Sequence, residues 1–293
     1  MALSGESLDR RMLLAGAAAL VAAPAWAKGS GFEAALAAIE KRAGGRLGVA
    51  VADRRGRLLA GRRTGERFPM CSTFKALAAG AVLARVDAGR ERLDRVVRYA
   101  RADLVDYSPE TSKHAGAGMT LAALCEAAIT LSDNTAGNLL LDAIGGPAGL
   151  TAFARELGDP ATRLDRRETA LNSAIPGDPR DTTTPAAMAA DLARLGFGDA
   201  LSPRSRARLI GWMRANTTGD KRLRAGLPTG WRAADKTGSG DRGTANDVAI
   251  LWRPGGEPII VTCYLTGATA DAPGRDMALA DVGRAIAAAF AKA

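Results

Sequence analysis

Histidine occurs once in the 293 residues, as His114. A multi-histidine metal site is therefore excluded, and a Ser–His–Asp triad would have to use that one imidazole. Cysteine is nearly as scarce. Cys71, Cys125 and Cys263 are widely separated and include no CxxC pair, which leaves room for one oxidised pair in an exported chain. Their odd number leaves at least one free thiol, and each lies in an apolar context that reads as buried structural cysteine. Aromatic residues make up 4% of the chain and the arginines are scattered, so the formal charge of +9 comes without a stacking platform for nucleic acid. That excess reads as a solvated basic surface, with attraction of small anions as its one benefit. No hydrophobic run reads as a spanning helix: the apolar stretch near the N-terminus is too short and too rich in alanine.

What is present is a globular composition, 47% hydrophobic and 24% charged, on a chain long enough for one large domain or two interleaved layers. Arg10 and Arg11 precede "MLLAGAAALVAAPAWA", and Ala25-Trp26-Ala27 supplies a small-x-small cleavage site. Residues 1–27 thus read as an export signal, with the mature chain starting near Lys28. The paired arginines before Met12-Leu13-Leu14 resemble a twin-arginine signal, though ordinary secretory signals carry such pairs too. The expectation is an exported, periplasmic or secreted monomer, without a membrane anchor after cleavage.

Periodicity sketches the organisation. "GFEAALAAIEKRAGG" spaces Phe32, Leu36 and Ile39 as a helix, and "RLGVAVADRRGRLLAG" reads as two strands around a turn near Arg55-Gly56. From about residue 70 to 212 the pattern is helical. It includes "MTLAALCEAAITLSD" and "NTAGNLLLDAIGG", the latter closed by Gly145-Gly146 and followed by Pro147 at the next helix start. The polar interval from Arg163 to Thr184 is a long loop, and such loops are usually functional or disordered. "ANDVAILW" and "PIIVTCYL" are strands flanking "RPGGE", and Leu279, Val282, Ile286 and Phe290 mark a last amphipathic helix. The fold class expected is α/β (α+β): an antiparallel sheet built from both termini (28–68 and 213–293), flanked by helices, with a helical domain (69–212, including the loop 163–181) inserted between. The active site is expected where the two meet.

In "FPMCSTFKALA", Ser72 either caps a helix or is a nucleophile beside Lys75, since positions i and i+3 share a helical face. A lysine amine desolvated near other cations loses its proton readily and becomes a base. Ser132-Asp133-Asn134 sits in a turn between two helices, and is good capping chemistry for a helix beginning at Thr135. Lys236-Thr237-Gly238, followed by Ser239-Gly240, puts small residues after a cation, where a ligand approaches a strand backbone. Singly, each motif is cheap. Together, in this order, S-x-x-K, S-D-N and K-T-G are the signature of class A β-lactamases and penicillin-binding proteins.

The chain resembles a class A serine β-lactamase over essentially its whole mature length. "DLVDYSPET", "ITLSDNTAGNLLL", "TRLDRRETALN", "RDTTTPAAM" and "ADKTGSG" all match. The resemblance implies hydrolysis of β-lactam antibiotics with no metal or organic cofactor. It makes Ser72 the nucleophile, and Lys75, or Glu168 through a water, the acylation base. Backbone N–H groups of Ser72 and Ser239 form the oxyanion hole, and Ser132 is the proton donor to the departing nitrogen. Lys236, Thr237 and Ser132 hold the substrate carboxylate, Asn134 the side-chain amide, and Tyr107 lines the mouth. "ETALN" separates hydrolysis from capture: Glu168 and Asn172, four apart, hold the water that cleaves the acyl-enzyme. Arg166 and Asp181 pair across the neck of this loop, and the peptide after Glu168 is cis.

Departures from the family pattern are equally specific. The arginine many relatives carry after K-T-G is missing, because Thr244 and Ala245 stand there. Arg222 matches the position used instead, and Arg275 is the second candidate. Bridges that some relatives form from Cys71 or to Cys125 lack partners, since Gly240 and Ala79 occupy those places, so no disulfide is expected. Two other readings share the serine and lysines: a D-Ala-D-Ala carboxypeptidase or transpeptidase, and a sensor that stays acylated. Glu168 with Asn172 argues against the first, and the sensor would need a membrane span or partner domain.

Overall fold

The computed structural model describes Met1, Ala2 and residues 26–291. The export signal read at residues 1–27 therefore lies almost wholly outside the described residues. Its helices are α1 (Trp26–Ala43), α2 (Phe74–Asp87), α3 (Leu121–Thr130), α4 (Asn134–Ile144), α5 (Gly146–Glu156), α6 (Pro185–Gly196), α7 (Pro203–Arg214) and α8 (Ala272–Phe290). Strands β1 (Arg46–Asp53), β2 (Leu58–Arg62), β3 (Arg232–Gly240), β4 (Thr244–Trp252) and β5 (Ile259–Thr266) form one antiparallel sheet in the order β2-β1-β5-β4-β3. The α/β expectation holds. Strands from the two ends of the chain pair centrally, from Arg46 opposite Thr266 to Asp53 opposite Ile259.

β1, β4 and β5 are buried along nearly their whole length because both faces of the sheet are covered there. Val49, Val51, Val261 and Leu251 point to one side, where they pack with Leu36 of α1 and Leu279 of α8. Ala50, Ala52, Ile260 and Ile250 point to the other and join a core shared with α2 and α6. Each fully buried Leu or Ile contributes about 1.5–3 kcal/mol. α2 is the pillar of that second core: every residue from Phe74 to Leu83 is buried, as expected of a helix apolar nearly all round. α3, α4, α5 and α7 surround it.

Two expectations change. Residues 88–120 hold no α-helix but a chain of turns with two short 3-10 helices, Arg101–Asp103 and Thr111–Lys113, and a two-residue ladder, Val96–Val97 against Met119–Thr120. Gly89, Gly116 and Gly118, all at positive φ, redirect the chain there. α4 starts at Asn134 rather than Thr135, with Asp133 as the cap accepting from the Ala136 N–H at 2.8 Å. No helix of the described residues is long and apolar enough to cross a membrane.

One core group is out of place. Asp191 of α6 is buried with both carboxylate oxygens lacking a hydrogen-bond partner among the described residues. Burial, and then the charge of Asp159, push its pKa well above the ordinary carboxylate value. Folding therefore takes up a proton, and stability falls as pH rises from the unfolded pKa toward the folded one. Asp191→Asn is expected to be near neutral in acid and to stabilise by about 1–3 kcal/mol at neutral pH. Urea unfolding at both pH values checks this.

Candidate active site

The strand Phe68–Pro69, paired with Thr182–Thr183, runs into a 3-10 turn, Cys71–Thr73, that opens α2. Cys71 is held at φ 46°, a left-handed conformation costing a non-glycine residue about 1–3 kcal/mol. Complete burial of Cys71 and the Met70 N–H bond to Asp181 O at 2.9 Å fix this turn. Ser72 is not a cap. Its Oγ donates to Glu168 Oε1 at 2.9 Å and accepts from Lys75 Nζ at 2.9 Å.

Lys75 is wholly buried, and Nζ also donates to Ser132 O at 2.9 Å and Asn134 Oδ1 at 2.7 Å. It lies 2.9 Å from Glu168 Oε1, an ion pair with neither side chain exposed. Burial lowers the pKa of the ammonium, and the Glu168 charge opposes that shift. Gly137 of α4 makes room for the lysine stem, since a Cβ there would sit 2.7 Å from Lys75 Cε. On the sheet side Lys236 is also fully buried, its Nζ donating to Ser132 Oγ at 3.0 Å and Thr237 O at 2.7 Å. Burial first, then repulsion from Lys75, push its pKa well below that of an ordinary lysine.

Above these groups opens a cleft of about 350 Å³ between the helical layer and β3, the edge strand of the sheet. Ser72, Tyr107, Ser132, Asn134 and Asn172 line one side; Thr218, Arg222, Thr237, Gly238 and Ser239 line the other. Lys75, Glu168 and Lys236 lie one hydrogen bond behind the wall. Ser132 and Tyr107 both have positive φ, and Tyr107 is 61% exposed at the mouth. Asn134 is also a clasp, its Nδ2 donating to Asp106 O at 2.8 Å.

Asn172 Nδ2 donates to Glu168 Oε2 at 2.6 Å, while Asn172 Oδ1 is buried without a partner among the described residues. The Glu168–Thr169 peptide is cis. At the loop neck Arg166 Nε meets buried Asp181 Oδ2 at 2.5 Å, and the Asp165 and Arg166 N–H groups donate to Asp181 Oδ1 at 2.7 and 2.9 Å.

Arg222 reaches the cleft: its guanidinium donates to Ser239 Oγ at 2.7 Å and to Gly238 O and Asn246 O, both at 2.8 Å, and pairs with Asp276 at 2.9 Å. Arg275 does not line it, being turned to Ala270 O of its own helix start. Thr218 was not legible as a site residue. It meets the Thr237 hydroxyl at 2.5 Å, and only its nearness to Arg222 in the chain hinted at it. The three cysteines are free and buried. A Cβ on Gly240 would lie 2.7 Å from both Cys71 Sγ and Asn172 O, so a larger residue there would press on the loop. No cluster of metal-ligating residues is found among the described residues.

Residues 31–290 match the model of a family described as the β-lactamase enzyme family. The chain is 50% identical to β-lactamase CTX-M-8 of Citrobacter amalonaticus, over 84% of this chain and 85% of that one. It is 49% identical to β-lactamase FAR-1 of Nocardia farcinica, over 88% and 82% respectively. Among solved structures, an ancestral class A β-lactamase aligns at 65% identity with a TM-score of 0.86, covering 88% of this chain and 100% of that one.

Proposed function

The chain belongs to the class A β-lactamase family, and from that premise we propose how its residues carry out the hydrolysis that makes it a β-lactam hydrolase of penicillins and cephalosporins. Ser72 Oγ attacks the ring carbonyl, and its proton passes to Lys75 or Glu168, both in contact with it. Backbone N–H groups of Ser72 and Ser239 receive the developing oxyanion, each such donor being worth about 3–4 kcal/mol. Ser132, polarised by Lys236 behind it, passes its proton to the departing nitrogen and is reprotonated by the proton released from Ser72, so Lys75 and Glu168 end acylation in their starting protonation states. The substrate carboxylate lies against Thr237 and Ser239, facing the charges of Arg222 and Lys236. Asn134 and Tyr107 meet the side-chain amide and the mouth.

Acylation turns Oγ into an ester oxygen with no proton to donate. Glu168 Oε1 is then released from its 2.9 Å contact and takes a water as its new donor. The buried, unpartnered Asn172 Oδ1 supplies a second acceptor for that water. Glu168 removes a proton as the water attacks the ester, and collapse of the adduct returns Oγ its proton. The observation carrying this reading is the meeting of Glu168 and Asn172 with Ser72 and Lys75 in one buried cluster. Purified protein is expected to turn over a chromogenic cephalosporin many times. A burst of one equivalent without turnover would point instead to a carboxypeptidase or a sensor.

The same proposal divides the chain into a sheet lobe (28–68 and 213–293) and a helical lobe (69–212), and takes residues 1–27 as an export signal by either route. All the named site residues come from a single chain, so a monomer suffices. Arg222→Ala is expected to raise KM about tenfold while kcat changes little, which is the loss of roughly 1.4 kcal/mol of ground-state attraction. Steady-state kinetics on a penicillin would show it. Unchanged constants would remove Arg222 from the site.

A further inference from the structure

A second cavity opens away from the catalytic cleft. It lies behind the loop that carries Glu168 and has a volume of about 490 Å³. Its apolar lining comes from Pro69, Leu171, Ala174, Ile175, Pro176 and Pro179. Ile175 is 43% exposed, an unusual position for a large aliphatic side chain. Five arginines complete the wall against a single carboxylate, Asp178.

The arginines differ in how their charge is met. Arg46 pairs with Glu66, Arg166 with Asp181, and Arg180 with Asp178. Arg67 and Arg242 have no carboxylate partner among the described residues. Arg67 donates through one nitrogen to Ala161 O at 2.7 Å and Thr182 Oγ1 at 3.0 Å. Arg242, at φ 51°, donates through one nitrogen to Ser173 O. Each guanidinium has five N–H donors, so both keep unused donors beside an apolar floor. An anionic head and an apolar body together match that lining; an inorganic anion would leave the prolines and Ile175 in water, and a neutral molecule would leave the charges unmet.

We propose that this cavity is a second binding site, distinct from the Ser72 cleft, for a small organic monoanion with an apolar body. The head binds Arg67 and Arg242, and the body covers Ile175 and the prolines. Because Arg242 also holds the Ser173 carbonyl, and Asp241 N–H donates to Asn172 O at 2.9 Å, the occupant would rest against the backbone of the hydrolytic loop.

The test uses the full-length folded protein and the fluorescent probe 8-anilinonaphthalene-1-sulfonate. Saturable binding at one site is expected. Decanoate should displace the probe, whereas acetate (head without body) and decanol (body without head) should do so at least roughly fivefold less well. Arg67→Ala and Arg242→Ala, both at exposed positions, should each weaken binding roughly fivefold, as should Ile175→Asp. Phenylboronic acid, which adds to a nucleophilic serine, should leave probe binding unchanged. Absence of saturable binding, equal affinity in the Arg67→Ala/Arg242→Ala protein, or displacement by the boronic acid would each overturn the proposal. None of these outcomes depends on β-lactam turnover, so the hydrolytic reading stands or falls separately.

Discussion

Glu168→Gln is expected to leave a protein that reacts once with a β-lactam and then holds it. The substitution keeps the size of the side chain but removes the base that meets Ser72 Oγ at 2.9 Å and is braced by Asn172 at 2.6 Å. A positioned general base contributes about 10²–10⁴-fold, so deacylation should slow by roughly 10³-fold. Acylation should fall far less, because the same change strips Lys75 of its buried counter-charge. With the largest opposing charge removed, burial lowers the lysine pKa further and the amine stands ready to take the serine proton. Intact-mass spectrometry would show one molecule of drug bound per chain, persisting for hours. An adduct that disappears as fast as in the parent would remove Glu168 from deacylation. Acylation slowed as much as deacylation would make the carboxylate, rather than the lysine, the base of the first step.

Lys75→Met should produce the opposite defect, a protein that does not acylate. Its Nζ joins Ser72 Oγ, Ser132 O, Asn134 Oδ1 and Glu168, so one substitution releases the serine, the turn of S-D-N and the hydrolytic carboxylate together. Acylation is expected to fall by about 10³–10⁴-fold. Breaking a buried pair leaves Glu168 uncompensated and costs stability of about 3–5 kcal/mol, so inactivity could reflect unfolding alone. The Lys75→Met/Glu168→Gln protein separates the two: it should regain thermal stability without regaining acylation. In the parent, the amine must be unprotonated to act, so acylation should weaken as pH falls through its lowered pKa. In Glu168→Gln that limb should move to lower pH. Stopped-flow acylation rates across pH would show both limbs, and an unchanged limb would exclude Lys75 as the base.

The sheet-forming runs, the helices with regular apolar spacing, and the order of the three motifs were legible because each is a local pattern. The resemblance supplied the partners of Ser72 that locality cannot, above all Glu168, 96 residues downstream. What stayed hidden depends on burial and on backbone conformation. Desolvation of Lys75 is expected from its place beside Ser72, but the complete burial of both Lys75 and Lys236 is not, and their lowered pKa values follow from it. Strain at Cys71, Tyr107 and Ser132 leaves no mark in residues that are neither glycine nor asparagine. Arg222 stands ahead of Arg275 as the supporting arginine, but only the fold shows one turned into the cleft and the other to Ala270. Residues 88–120 misled because charged residues and glycines can interrupt a helix or end it, and only tertiary packing decides.

The central pairing of β1 with β5 bears on when this molecule becomes itself during synthesis. β1 is made early, but its inner neighbour is complete only when Thr266 has been added. Until then β1 has β2 alone beside it, and a lone two-stranded ribbon is at best marginally stable in water. The inner core that seats α2 draws on Ile260 and Tyr264 of the same late strand. A growing chain therefore has no finished sheet, no seated nucleophile helix and no β3 wall for most of its time on the ribosome. Structure and chemistry arrive together, near the end of translation. For a chain that must be threaded unfolded through a narrow pore, that delay keeps it threadable; for one carried across folded, it makes the last strands the checkpoint.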